Sequence, residues 1–89
     1  MNVEFDKSFL KSLSKIKDEK SLKRIEEIIL SLEESQSLNR AKNIKKLTGF
    51  NTYYRIRIGN LRLGFEQMNS QTIRLIIIAH RKDIYKRFP

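Results

Sequence analysis

The stretch Tyr53–Glu66 reads YYRIRIGNLRLGFE, two runs of alternating apolar and charged residues joined by Gly59-Asn60. That dipeptide readily takes the positive backbone angles of a two-residue hairpin turn, so the spacing predicts two antiparallel strands. With those two residues as the loop, Ile58 faces Leu61, Arg57 faces Arg62, Ile56 faces Leu63, Arg55 faces Gly64 and Tyr54 faces Phe65. Strand parity then gives one apolar face of Tyr54, Ile56, Ile58, Leu61, Leu63 and Phe65. The opposite face carries Tyr53, Arg55, Arg57, Arg62, Gly64 and Glu66. Like charges set directly across a strand pair cost about 0.2–1 kcal/mol. A hairpin that opposes Arg57 to Arg62, with Arg55 beside them, is poorly arranged for stability alone and suits a surface that holds something negative.

Outward from the hairpin, Thr72–His80 (TIRLIIIAH) is nearly continuous in Ile and Leu, the signature of a central strand buried on both faces. Gln67–Gln71, with Asn69-Ser70, reads as the turn leading into it. Ahead of the hairpin, Ile44–Phe50 reads as a short turn closed by Gly49, and the polar, aperiodic Ser35–Asn43 as a connector. Asn2–Phe5 alternates and is short enough for an edge strand. Asp6 is placed to cap a helix whose stripe is Phe9, Leu10, Leu13 and Ile16. Lys17–Lys20 turns the chain into a second helix with the stripe Leu22, Ile25, Ile28, Ile29 and Leu32. The expected fold is α+β, in the order β-α-α-β-β-β, with a short C-terminal tail or helix. Its two N-terminal helices pack on one face of a small, mostly antiparallel sheet. The helices take the apolar side, which leaves the arginine side open to solvent.

The 89 residues allow one domain, 1–89, with a modest core. Without cysteine, and with one histidine, neither a disulfide framework nor a structural metal site is expected. No cofactor is expected either. The net charge of +9, from 19 basic and 10 acidic residues, points to a polyanionic partner, nucleic acid ahead of a membrane surface. The longest apolar run, Leu75–Ala79, is strand-sized and far short of a membrane span. The opening MNVEFDKS lacks a signal-peptide pattern. The expectation is a soluble cytoplasmic protein. Arginines on an open sheet face with tyrosines between them fit a phosphodiester chain and its bases.

The tract Lys46-Leu47-Thr48-Gly49, the hairpin Tyr54–Leu63 and the ending Ala79-His80-Arg81-Lys82-Asp83-Ile84-Tyr85 resemble the RelE/ParE superfamily of type II toxins. With the leading strand and helical pair, the similarity covers nearly the full chain. The resemblance implies a compact microbial RNase fold that enters the ribosomal A site and cleaves mRNA there. It also implies a cognate antitoxin that wraps around the toxin; the charge of this chain makes an acidic one the expectation. A monomeric toxin joined with antitoxin in a higher-order complex follows from the same likeness.

In RelE-like members the 2′-hydroxyl of the RNA attacks the adjacent phosphorus, leaving a cyclic phosphate and a 5′-hydroxyl. The matching basic positions are Arg55 and Arg57 on the first hairpin strand, Arg62 after the turn and Arg81 at the end of the last strand. Tyr85 matches the substrate-contacting aromatic. The expected catalytic set is therefore Arg57, Arg62, Arg81 and Tyr85, with His80 as a candidate for proton transfer because its unperturbed pKa lies near neutrality. Arg55, Tyr53, Lys45, Lys46 and Lys82 form the expected substrate-binding set, with no metal. Where the best-known member has two lysines this chain has Arg55 and Arg57, and arginine stays protonated to about pH 12. The identity of the general base is left open. Glu66 reads as a salt-bridge partner and Tyr54 as core. Two alternatives stand beside cleavage: a ParE-like toxin that inhibits DNA gyrase without cutting RNA, and a non-catalytic basic nucleic-acid-binding module.

Overall fold

The computed structural model describes residues 1–38 and 43–89. Among these the order is β1 (Asn2–Phe5), α1 (Lys7–Leu13), α2 (Glu19–Glu34), β2 (Ile44–Lys46), β3 (Tyr53–Ile58), β4 (Leu61–Asn69), β5 (Thr72–His80) and α3 (Ile84–Arg87). The strands form one sheet in the order β1-β5-β4-β3-β2, antiparallel except for the parallel pair β1 and β5. The architecture is the expected α+β layering. The hairpin register is observed pair for pair, from Tyr53 opposite Glu66 to Ile58 opposite Leu61. Gly59 supplies the turn with φ of +59°.

Both long helices start where an aspartate can satisfy free N–H groups. Asp6 accepts from the Ser8 N–H at 3.0 Å, and Asp18 from the Ser21 N–H at 3.1 Å and its hydroxyl at 2.6 Å. From the helices, Phe9, Ile25 and Leu32 meet Ile56, Ile58, Leu63, Phe65, Ile73, Leu75 and Ile78 of the sheet in the main core. Ser12, buried in α1, donates to the Phe9 carbonyl at 2.9 Å and accepts from the Ile78 N–H at 3.0 Å, which ties α1 to β5.

Several boundaries differ from the sequence reading. α1 ends at Leu13, and two tighter turns, Lys15 N–H to Ser12 O and Ile16 N–H to Leu13 O, bring Ile16 onto the core. Leu10, expected on the buried stripe, is 52% exposed. Ile44–Lys46 is an edge strand paired with β3 rather than part of a turn. β4 runs on to Asn69, so only Ser70 and Gln71 turn the chain. The expected connector 35–43 lies partly outside the described residues.

The largest correction concerns the arginine side of the sheet, which is not wholly open. Ile84 and Phe88 fold back over it and bury themselves with Leu47, Ile77 and Ala79 in a second cluster. A four-residue helix does not hold itself together in water. Burying an Ile and a Phe side chain stabilises by about 1.5–3 kcal/mol each, which is enough to anchor it. Gly64 makes the room: a Cβ there would stand 2.8 Å from the Phe88 ring. β5 serves both cores through a bulge. Gly64 pairs with Ile77 and Phe65 with Leu75, so Ile76 is the extra residue and the parity of the strand reverses across it.

Candidate functional site

The pleat that sends Ile56, Ile58 and Leu63 into the main core sends Arg55, Arg57 and Arg62 to the other side. Arg62 is half-buried, and its Nη1 donates to the carbonyls of Gly59 at 2.8 Å and Leu61 at 2.9 Å. Burial is the main force pulling its pKa down from the ordinary arginine value. The nearby charges of Arg55 and Arg57 add to this, Arg81 adds more weakly, and Tyr85 acts in the opposite sense. Arg62 is therefore the electrostatic centre of the group. Like charges held together in this way favour a bound anion.

Each neighbour is positioned by a separate element. Arg57 is exposed; its Nη2 lies 3.5 Å from Asn43 Oδ1, and its own N–H donates to the Asn43 carbonyl at 3.1 Å. Arg55 Nε donates to the Tyr85 hydroxyl at 3.0 Å, so α3 is joined to the hairpin across the sheet. The Arg81 N–H donates to the Asn60 carbonyl at 2.8 Å, which fixes the end of β5 against the hairpin turn. Lys45 pairs with Arg55 and so lies on the same side.

Beside the arginines lies a cleft of about 710 Å³ lined by Lys45, Lys46, Phe50, Tyr53, Tyr85 and Phe88, among others. Tyr53 sits edge-on between two rings, 5.6 Å from Phe50 and 5.6 Å from Phe88. Phe50 is 44% exposed and Tyr85 61%. Exposed ring faces beside guanidinium groups form the kind of surface on which unpaired bases stack.

Not every expected residue joins this group. His80 is exposed and pairs with Leu61, on the helix side of the sheet by register, and its Nδ1 accepts from the Lys82 N–H at 3.3 Å. Lys46 borders the cleft but pairs with Tyr54, on the opposite parity from Lys45. Lys82 is exposed on the loop after β5, and among the described residues no side-chain hydrogen bond ties it to the arginines. Tyr54 packs in the core, stacked on Phe65 at 5.5 Å. Glu66 is not an ion-pair partner among the described residues. It accepts from the Thr52 hydroxyl at 3.2 Å, while Arg74, opposite it, pairs with Glu4 at 3.1 Å. Sequence reasoning missed Phe50 and Phe88 as lining residues. The signal available for Phe50 was an aromatic placed directly after the turn glycine Gly49; Phe88 lies on no periodic stripe and gave none.

Among the described residues, no helix is long and apolar enough to cross a membrane. The family model described as ParE toxin of type II toxin-antitoxin system, parDE, matches residues 3–85. The chain is 46% identical over 90 residues to Toxin RelE3 of Methanocaldococcus jannaschii, with 100% of both chains covered. Its fold matches the RelB-RelE antitoxin-toxin complex from Methanococcus jannaschii with a TM-score of 0.81 and 43% identity, over 97% of this chain and 99% of the other. It matches the isolated E. coli RelE toxin with a TM-score of 0.70 and 20% identity, over 96% and 90%, a likeness of fold alone. With the family model spanning nearly the whole chain and a full-length relative at this identity, the chain belongs to the RelE/ParE superfamily of type II toxins.

Proposed function

We propose that this toxin is a metal-independent endoribonuclease that acts in the cytoplasm on mRNA in the ribosomal A site, and that an acidic antitoxin restrains it. The observation that carries the reading is Arg62, held by two carbonyls at the centre of a guanidinium group that Arg55 joins, through Tyr85, to an aromatic cleft. In this mechanism the RNA lies along the arginine side with a phosphate between Arg57 and Arg62, whose forked donors match its oxygens. The 2′-hydroxyl attacks phosphorus, the bond to the 5′-oxygen breaks, and the products are a 2′,3′-cyclic phosphate and a 5′-hydroxyl. Arg57 and Arg62 stabilise the extra negative charge on phosphorus, Arg81 faces the leaving oxygen, and Tyr85, steadied by Arg55, orients a nucleotide. Tyr53, Lys45 and Lys46 line the path of the neighbouring nucleotide; Lys82, outside the cleft, contributes charge alone.

Arginine keeps its proton at neutral pH, so the guanidinium groups supply electrostatics rather than a base. The 2′-proton leaves to solvent base, the departing 5′-oxygen takes its proton from water, and His80, on the other side by register, is assigned no step. The test is to add the purified protein to ribosomes translating a defined mRNA and map the new ends. The expected result is cleavage within the A-site codon, with cyclic-phosphate and 5′-hydroxyl termini, unchanged by EDTA pretreatment of the protein. Intact mRNA together with inhibited supercoiling by DNA gyrase would replace this reading with the gyrase one; intact mRNA with bound RNA would leave a non-catalytic binding module.

A further inference from the structure

We infer that the chain has a second RNA-binding surface: a basic groove on the helix side of the hairpin tip that holds the phosphodiester backbone of RNA already engaged on the arginine side. The inference rests on the nuclease reading above. The groove, about 470 Å³, runs between the α1–α2 connection and the hairpin turn and is lined by Lys15, Lys17, Lys20, Arg24, Gly59 and Asn60. All four cations are exposed, and among the described residues none of them takes part in an ion pair. The one acid in the lining, Asp18, is already engaged by the Ser21 N–H and hydroxyl as the cap of α2. The end of α2 is thus closed by its own cap, and the attraction comes from the side-chain cations.

The hairpin turn is a thin partition between this groove and the arginine side. On one side Arg62 Nη1 holds the Gly59 carbonyl at 2.8 Å. On the other, Arg24 lies so close that its Nη1 would be 2.9 Å from a Cβ at Gly59. Positive charge therefore continues around the tip without a break. A strand leaving the Arg57–Arg62 pair can round the turn and meet Arg24, then the lysines. An amphipathic acidic protein segment fits less well, because it needs apolar anchors. Ile58 here is buried, Ile16 and Leu61 are half-buried, and the exposed Phe5, Leu10 and Leu30 lie outside this lining.

The experiment measures binding of 2′-O-methyl oligouridylates, which cannot be cut by 2′-hydroxyl attack, across a range of salt. One oligonucleotide is short enough to cover only the arginine side, and one is long enough to round the hairpin. Each phosphate neutralised on a single strand contributes about 0.7 to the slope of log K against log salt. The variant Lys15→Ala/Lys17→Ala/Lys20→Ala is expected to lower that slope for the long RNA by about 2, and to weaken its binding at low salt by about tenfold or more. Binding of the short RNA should not change, and a melting curve matching wild type shows the variant is folded. Arg57→Ala is expected to weaken both RNAs. An unchanged slope for the long RNA overturns the groove while leaving cleavage on ribosomes intact as a separate result. An unchanged slope with lost binding to polyglutamate overturns it too and gives the groove to an acidic protein. Wild-type protein that binds neither RNA overturns the nuclease reading, and the groove goes with it.

Discussion

Arg62 spends one nitrogen on the Gly59 and Leu61 carbonyls, which fixes its orientation and leaves its remaining N–H groups for the phosphate of the proposed reaction. Preorganised donors of this kind typically carry about 10²–10³ in rate. Arg62→Ala and Arg81→Ala are each expected to lose cleavage by that order in single-turnover assays on programmed ribosomes, while remaining folded. Arg55→Ala and Tyr85→Phe should be milder. Because Arg55 and Tyr85 share one hydrogen bond, their losses should fail to add in the double variant. A second expectation concerns pH. With no titrating side chain as base, the logarithm of the single-turnover rate should rise steadily from acid through neutral pH. A pH plateau abolished in His80→Gln would return histidine to the mechanism. Parity alone made the hairpin arginines legible, since the pleat leaves no choice once Gly59-Asn60 is the turn. The side of His80 was not legible. Counted from Ile73 without interruption, His80 falls on the arginine side; the extra residue Ile76 moves it to the other. In a run of Leu and Ile no residue marks where such a bulge falls.

Among the elements, the C-terminal segment departs furthest from what the sequence suggested. Its short apolar spacing gives no helical stripe, and its partner is a glycine on β4, on the arginine side it covers, so only the folded sheet brings them together. Gly64→Ala should drive a methyl group into the Phe88 ring, with an overpacking cost of about 1–3 kcal/mol. Lifting Phe88 also lifts Tyr85 from Arg55. The expected result is a marked loss of cleavage with the helix-side core still folded, read from activity beside near- and far-ultraviolet circular dichroism. β2 was missed for a related reason: Ile-Lys-Lys is too short to alternate, and its strand character comes from pairing with β3. The first helix start, by contrast, was readable in Asp6, whereas Asp18, read as part of the turn Lys17–Lys20, is the cap of α2, which already begins at Glu19. Hydrogen bonds from Ser8 and Ser21 hold these carboxyls below their ordinary values. Folded carboxyls with depressed pKa values bind fewer protons than the unfolded chain. Their contribution is therefore complete above the ordinary carboxylate value and lost as pH falls through the depressed ones. Asn caps nearly as well as Asp but does not titrate. Asp6→Asn/Asp18→Asn should be slightly less stable than wild type at neutral pH. In urea titrations the gap should close as the pH falls below about 3.8.

At the scale of the whole molecule, layering and the hairpin pairing were legible because two helical stripes and four strand patterns allow few arrangements for so short a chain. The covering of the arginine side was not, because it depends on contacts between Gly64 and Phe88, far apart in sequence. What the layering leaves is an unequal distribution of charge. Glu26, Glu27, Glu33 and Glu34 all lie on α2, so the hairpin and C-terminal regions are more basic than the net +9 conveys. A field of one sign steers an oppositely charged partner and speeds its approach, and salt weakens that steering. If the partner is an acidic antitoxin, its association rate should fall by about 10-fold or more from dilute to physiological salt, with dissociation changing much less. Stopped-flow mixing of toxin and antitoxin across a salt series measures both rates. Replacing Arg57 and Arg81, both exposed on the arginine side, should flatten the salt dependence of association. An association rate indifferent to salt and to both substitutions would mean that the antitoxin finds the toxin through its exposed apolar residues, Leu10 and Leu30 among them, and that the basic field serves RNA alone.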